Sequence, residues 1–167
     1  NGSPAINTGS NPQSLPSDQR GRPRVTDALA DMGAYEKETT FTVTNTNNTG
    51  AGSLRDAIHW ASYSPAPNTV DLRELSGTIV LADQIWIAGP MSIQGPGAAT
   101  LTIDANAVSR AFTIGTTFPA CPALDNGGAD YLVSISGLRL VNGRRSTSNV
   151  GGAIYTEHSL ALDSVSI

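Results

Sequence analysis

The sequence predicts a parallel β-solenoid opened by one short helix, on three observations. Short pieces with the pattern apolar, polar, apolar recur from residue 69 to residue 167, and glycine or asparagine often follows them. Two of these pieces, "VSISGLRL" (133–140) and "LALDSVSI" (160–167), superpose at an offset of 27 residues. Val133, Ile135, Leu138 and Leu140 fall over Leu160, Leu162, Val165 and Ile167. One short amphipathic stretch precedes these pieces, a helix marginal alone that must lie on something. A solenoid lays each coil over the last at the ~4.8 Å strand spacing, so it needs apolar residues in register and corners where the path bends.

Taken in order, residues 1–24 hold many turn formers and almost no apolar periodicity, and read as extended loop. "VTDALADMGAYE" adds Val25, Leu29, Met32 and Tyr35, enough to pin the segment against a larger body but too little for a core. The charged "EKE" at 36–38 reads as a solvent-exposed junction, so domains are expected at 1–38 and 39–167. "TTFTVTN" then alternates, with Phe41 and Val43 on one face, and "NTNNTGAG" is a turn cluster. Ser53 stands before Leu54 with Asp56 three residues on, a helix start, and Leu54, Ala57, Ile58 and Ala61 form the apolar stripe of a helix over Ser53–Ser62.

The strands follow as "TVDL" (69–72), "TIVL" (78–81), "IWI" (85–87), "MSI" (91–93), "LTI" (101–103), "FTI" (112–114), the two long pieces already named, and "AIY" (153–155). They should wind into three or four coils with Leu101, Ile103, Phe112, Ile114, Ile135, Leu138, Leu140, Ile154, Leu160 and Leu162 inward. Corners fall at Ser136-Gly137, Asp163-Ser164 and "GPG" (95–97). The rival is an antiparallel sandwich. Asn142-Gly143 has the form of a hairpin turn, but "RRSTSN" after it offers no returning strand.

Composition excludes several classes. Charged residues are only 14% against a usual ~25%, and the net charge of −4 gives no support for nucleic acid or an anionic membrane as partner. No apolar run approaches the ~18 residues of a membrane span, and no signal peptide or starting Met is present, so a mature or excised segment is expected. The single Cys121 excludes an internal disulfide.

The words "FTVTNTNNTGAGSLRDAIHWA", "GTIVL", "MSIQGPGAATLTIDA", "VSISGLRLVNG" and "GGAIY" with "SLALDSVSI" resemble the N-terminal cap and first coils of secreted bacterial and archaeal right-handed parallel β-helix proteins of the pectin-lyase-like fold. Residues 3–36, through "SPAI", "DQRGRPR" and "DMGAYE", resemble the closing segment of the same group. The resemblance implies a secreted or cell-surface protein. Its inverted order implies that residues 1–38 close a preceding β-helix or pack on a neighbouring subunit. Ile167 falls within a strand pattern, so a further coil or copy is expected beyond it.

The function expected is a structural or adhesive module of an extracellular protein or fibre, assembling end to end with copies of itself or adjacent β-helix domains. The alternative is a polysaccharide-binding or polysaccharide-degrading β-helix, a lyase or glycoside hydrolase. Its outward candidates are Asp104, Arg139, Glu157 and Asp163, but no two acidic residues in the repeating part are expected to align at the coil offset of 27, and solvated surface or turn capping explains them better. His59 and His158 lack metal-spaced companions, so neither a zinc site nor any cofactor is expected. Trp60, Tyr63 and Trp86 could stack on sugars, although aromatics near a cap more often close a core. Asn1-Gly2-Ser3 and Asn47-Asn48-Thr49 are glycan acceptors in form. "GRRSTSN" (143–149) and "NGG" (126–128) read as a solvated loop and a corner.

Overall fold

A computed structural model of the chain describes residues 3–25, 29–34, 36–64, 68–115, 130–144 and 152–167. The chain forms two compact units, Asn1–Glu38 and Thr39–Ile167.

The larger unit is an all-β, right-handed parallel solenoid with a capping helix. Its elements are β1 (Thr40–Thr42), α1 (Leu54–Tyr63), β2 (Asn68–Asp71), β3 (Gly77–Val80), β4 (Ile85–Ile87), β5 (Met91–Gln94), β6 (Leu101–Asp104), β7 (Phe112–Ile114), β8 (Leu132–Ser136), β9 (Arg139–Val141), β10 (Ile154–Thr156) and β11 (Ser159–Asp163). They make three sheets, β1-β2-β5-β8-β11, β4-β7-β10 and β3-β6-β9, and every strand pair is parallel. Strands β2–β4, β5–β7 and β8–β10 are three coils, and β11 begins a fourth.

Alternation along each strand sends one side chain in and the next out, and parallel register stacks like over like. Phe41, Val70, Ile93, Ile135 and Leu162 form one inward column. Ile79, Ile103 and Leu140 form a second, and Ile85, Phe112 and Ile154 a third. The steps along the first column are 29, 23, 42 and 27 residues, so the offset of 27 does not hold from coil to coil, although it recurs between β4 and β7. Stacking dictates where strands sit and leaves the lengths of the connections free.

Helix α1 starts where Ser53 accepts a hydrogen bond from the Asp56 amide, and it buries Leu54, Ala57, Ile58 and Ala61 over the first end of the core. Asn68 occupies an inward position, over Met91, where an apolar residue would be expected. Its Nδ2 donates to the Ala61 and Ser64 carbonyl oxygens at 2.8 and 2.9 Å, which satisfies the C-terminal end of the helix.

The corners bear out the glycine reading. Gly97 has φ 128°, and Gly137 and Ser164 share the left-handed conformation at 62° and 54°. A Cβ on Gly137 would meet the Gly95 carbonyl oxygen at 2.7 Å, so two coils touch backbone to backbone there. Asn142 turns a corner at φ 55°, and because every strand pair among the described residues is parallel the antiparallel rival is overturned. One inward expectation needs correction. Leu162 continues the column of Ile135 but is 46% exposed, because it is covered from one side only, while Ile154 and Leu160 are partly buried against the core.

The smaller unit departs further from expectation. Glu36 and Glu38 are buried, not solvent-exposed, and only Lys37 between them faces out. Arg20, Arg22 and Arg24 pair with Asp18, Glu38 and Glu36. Arg20 also donates to the Glu36 carbonyl oxygen, and Asp31 accepts from the amides of Asn7 and Lys37. A backbone turn carries the alternate arginines, with Ser17 and Pro23 bridged antiparallel and the Asp18 amide bonded to the Arg22 carbonyl oxygen. Leu15, Val25, Leu29 and Met32 are exposed, and Tyr35 lies outside the described residues. The notation of alternate Arg and acid positions was present in "DQRGRPR" and "EKE". Polar residues at turn-forming positions hid it.

Candidate functional site

Among the described residues, a group of ionisable and aromatic side chains gathers at the corner between the sheet of β7 and β10 and the sheet of β8 and β11. Strand register carries residue 132 over 159, so the chain just before β8 stacks on the chain just before β11. Tyr131 and His158 stack there with ring centroids 3.8 Å apart and planes at 26°. Tyr131 donates through its hydroxyl to the Ile87 carbonyl oxygen of the first coil at 3.1 Å.

Asp130 organises the other half of the corner. It accepts from the Ser159 amide at 3.0 Å and from the Ser159 hydroxyl at 2.5 Å, and its Oδ1 lies 3.3 Å from Nδ1 of His158. These contacts, the Ser159 hydroxyl first, hold the Asp130 carboxyl below its ordinary range. Tyr155 donates to Glu157 at 3.2 Å, and the Arg110 guanidinium lies 4.7 Å from the Tyr155 ring centroid. Burial, with Glu157 and Asp130 nearby, pushes the Tyr131 hydroxyl up to about 12.

Chemically this is an aspartate that orients a histidine, as in many acid-base sites, but the serine bonds to the carboxylate and not to the imidazole. Nε2 of His158 is buried and meets no partner among the described residues. What the group does is stitch three coils together at one corner. The expectation that no two acidic residues align at the coil offset is overturned, since Asp130, which sequence reading missed, precedes Glu157 by the same 27 residues that relate β8 to β11. Applying that offset to every acidic residue would have found the pair.

The other candidates are scattered. Asp104, at the end of β6, accepts from the Asn106 amide in its own corner and from Nδ2 of Asn142 in the next coil. Arg139 is exposed on β9, and Asp163 accepts from the Ser164 hydroxyl at its own corner. On the outer face of the largest sheet, Asp71 and Asp163 share a column, but Gln94 and Ser136 stand between them. Three strand steps of ~4.8 Å put them about 14 Å apart, beyond glycosidase geometry. Asp71 pairs with Arg73, which holds its carboxyl below the usual range.

His59, Trp60 and Tyr63 cluster on α1, with His59 4.8 Å from Tyr63 and 5.3 Å from Trp60, and Trp60 bonded to Asp56. Trp86 stands outward on β4 in a column with Thr113 and Tyr155. Asn47 is exposed, whereas Asn48 accepts from the Ala82 amide and from Arg55. Among the described residues no group of three or more His, Cys, Asp or Glu could hold a metal, and no helix is long and apolar enough to cross a membrane. Cys121, Asn1-Gly2, "NGG" and residues 145–149 lie outside the described residues.

No family model, curated protein or solved structure matches the chain.

Proposed function

We propose that the Thr39–Ile167 solenoid is the cap and first coils of a secreted, pectin-lyase-like β-helix. In this reading it serves as a structural or adhesive module that assembles end to end with other copies or with adjacent β-helix domains. The observation that carries this is the difference between its ends. Helix α1 closes one end with Leu54, Ala57, Ile58 and Ala61. At the other, β11 pairs on one edge alone among the described residues, and Leu162 and Ile167 are 46% and 71% exposed. A strand edge beside apolar surface is a template for another strand. The smaller unit supports the same reading, since ion pairs hold it while Leu15, Val25, Leu29 and Met32 remain exposed for a neighbouring copy or domain.

Sedimentation across a concentration series tests this with the chain and with Leu162→Lys. Assemblies that grow with concentration and are lost in Leu162→Lys are expected. Monomers at every concentration for both proteins would overturn end-to-end assembly.

A polysaccharide-binding reading has one observation in its favour, the outward column of Trp86, Thr113 and Tyr155, whose aromatic rings could stack on sugar faces. Thr113 between them is only 3% exposed, so the column offers no open groove, and the structural reading stands ahead of it.

A further inference from the structure

We infer that Asn142 is a site of spontaneous deamidation, and that its conversion loosens the corner joining the second and third coils. The packing that demands glycine at position 143 is what leaves its neighbour reactive. A Cβ on Gly143 would meet the Gly152 carbonyl carbon and the Ala153 Cα at 2.7 Å, so the backbone contact across this turn admits no side chain. Without a Cβ, nothing on residue 143 shields its amide nitrogen, and among the described residues that amide donates to no acceptor. Asn142 itself is exposed, in the left-handed conformation at φ 55°.

The step balances without an oxidant. The Gly143 amide nitrogen attacks the side-chain carbonyl carbon of Asn142, forming a C–N bond and losing its proton to solvent. The bond to the side-chain nitrogen breaks, and that nitrogen leaves as ammonia. Water then opens the resulting five-membered imide at either carbonyl, giving aspartate or isoaspartate.

The product is badly placed. Nδ2 of Asn142 donates to Oδ1 of Asp104 at 2.9 Å, a link from the third coil to the second. Aspartate at 142 has no such donor and sets a second carboxylate against the first. The Asn142 carbonyl oxygen also accepts from the Ala107 amide at 2.9 Å, and isoaspartate, with an extra main-chain carbon, displaces that carbonyl.

The experiment incubates the folded protein, and a sample unfolded in denaturant, at mildly alkaline pH and maps peptides by mass. The Asn142 peptide should convert to acid and isoaspartate in both samples. The Asn106 peptide, also exposed and at φ 55° but followed by Ala107, should remain an amide in the folded protein. Conversion of Asn142 in the unfolded sample without conversion in the folded one would overturn the assignment. Separately, Asn142→Asp should lower Tm by about 2–4 °C, the scale of a single lost contact in a chain of this size, and adding Asp104→Asn should restore most of it. An unchanged Tm in Asn142→Asp would overturn the claim that conversion loosens the corner.

Discussion

Arg55 on helix α1 donates to the backbone carbonyl oxygen of Asp83 at 2.6 Å, and to that of Gln84 at 2.8 Å, just ahead of β4. The same guanidinium reaches the Asn48 carbonyl oxygen and Oδ1 in the turn before the helix, both at 3.3 Å. One planar group thus ties the pre-helix turn, the cap helix and the first coil. Burial lowers the Arg55 pKa from its ordinary value, so the site uses a cation while withholding part of its water.

Replacement by Met keeps the aliphatic stem and leaves those carbonyls without a donor. Arg55→Met should cost about 1–3 kcal/mol, the scale of hydrogen bonds from a charged donor at a partly buried site. Arg55→Lys should recover a minor part, because an ammonium cannot reproduce the planar fork. Denaturant midpoints of the three proteins check this ordering.

Asn68 is a polar residue in an inward column because helix α1 ends directly against it. Asn68→Leu would match Met91 beneath it, yet take its donor from the Ser64 carbonyl oxygen and leave that of Ala61 with the long contact from the Ser64 amide at 3.4 Å. A loss of about 1–3 kcal/mol is expected despite the added apolar volume. Helix signal by circular dichroism should fall before the β signal on mild heating.

Gly137 and Ser164 are the same corner on successive coils, at φ 62° and 54°, and should respond in opposite directions. Gly137→Ala adds a strained backbone and a Cβ 2.7 Å from the Gly95 carbonyl oxygen, and should cost about 2 kcal/mol or more. Ser164→Gly removes a strained backbone and should gain about 0.5 kcal/mol after the added unfolded-chain entropy. Equilibrium unfolding of the pair tests both signs.

The Tyr131 hydroxyl, raised to about 12 by burial in the corner, gives an alkaline dependence. Between the unfolded value of about 10 and the folded one, the unfolded chain binds fewer protons than the folded chain. Stability therefore falls as pH rises. The contribution is whole below pH about 10 and gone once pH has passed through about 12. Unfolding midpoints measured against pH should fall less steeply on this limb in Tyr131→Phe.

In the smaller unit, Glu36 is buried against Arg24, with side-chain exposures of 1% and 14%. Glu36→Gln removes one partner of a buried pair and should cost about 3–5 kcal/mol locally. The Gly9 and Met32 amides, which bond to Ala30 and Ala5, should lose hydrogen-exchange protection while the solenoid amides keep theirs.

The period-two pattern, the corner glycines and the helix stripe were legible in the sequence, because each is a local rule about which side chain a strand or helix buries. They identified the solenoid, the cap helix to within a residue at each end, and the core columns through Ile103, Phe112 and Ile135. Three things were decided by tertiary structure. The 42-residue step between Ile93 and Ile135 shows that coil register, not coil length, is conserved from turn to turn, since strands must stack and connections need not. The burial of Glu36 and Glu38 arose from arginines 12 and 16 residues earlier, a pairing that no local pattern reports. The corner of Asp130, Tyr131, Glu157 and His158 came together only when one coil was laid on the next, because side chains 27 residues apart become neighbours through the parallel ladder and through nothing in their own vicinity.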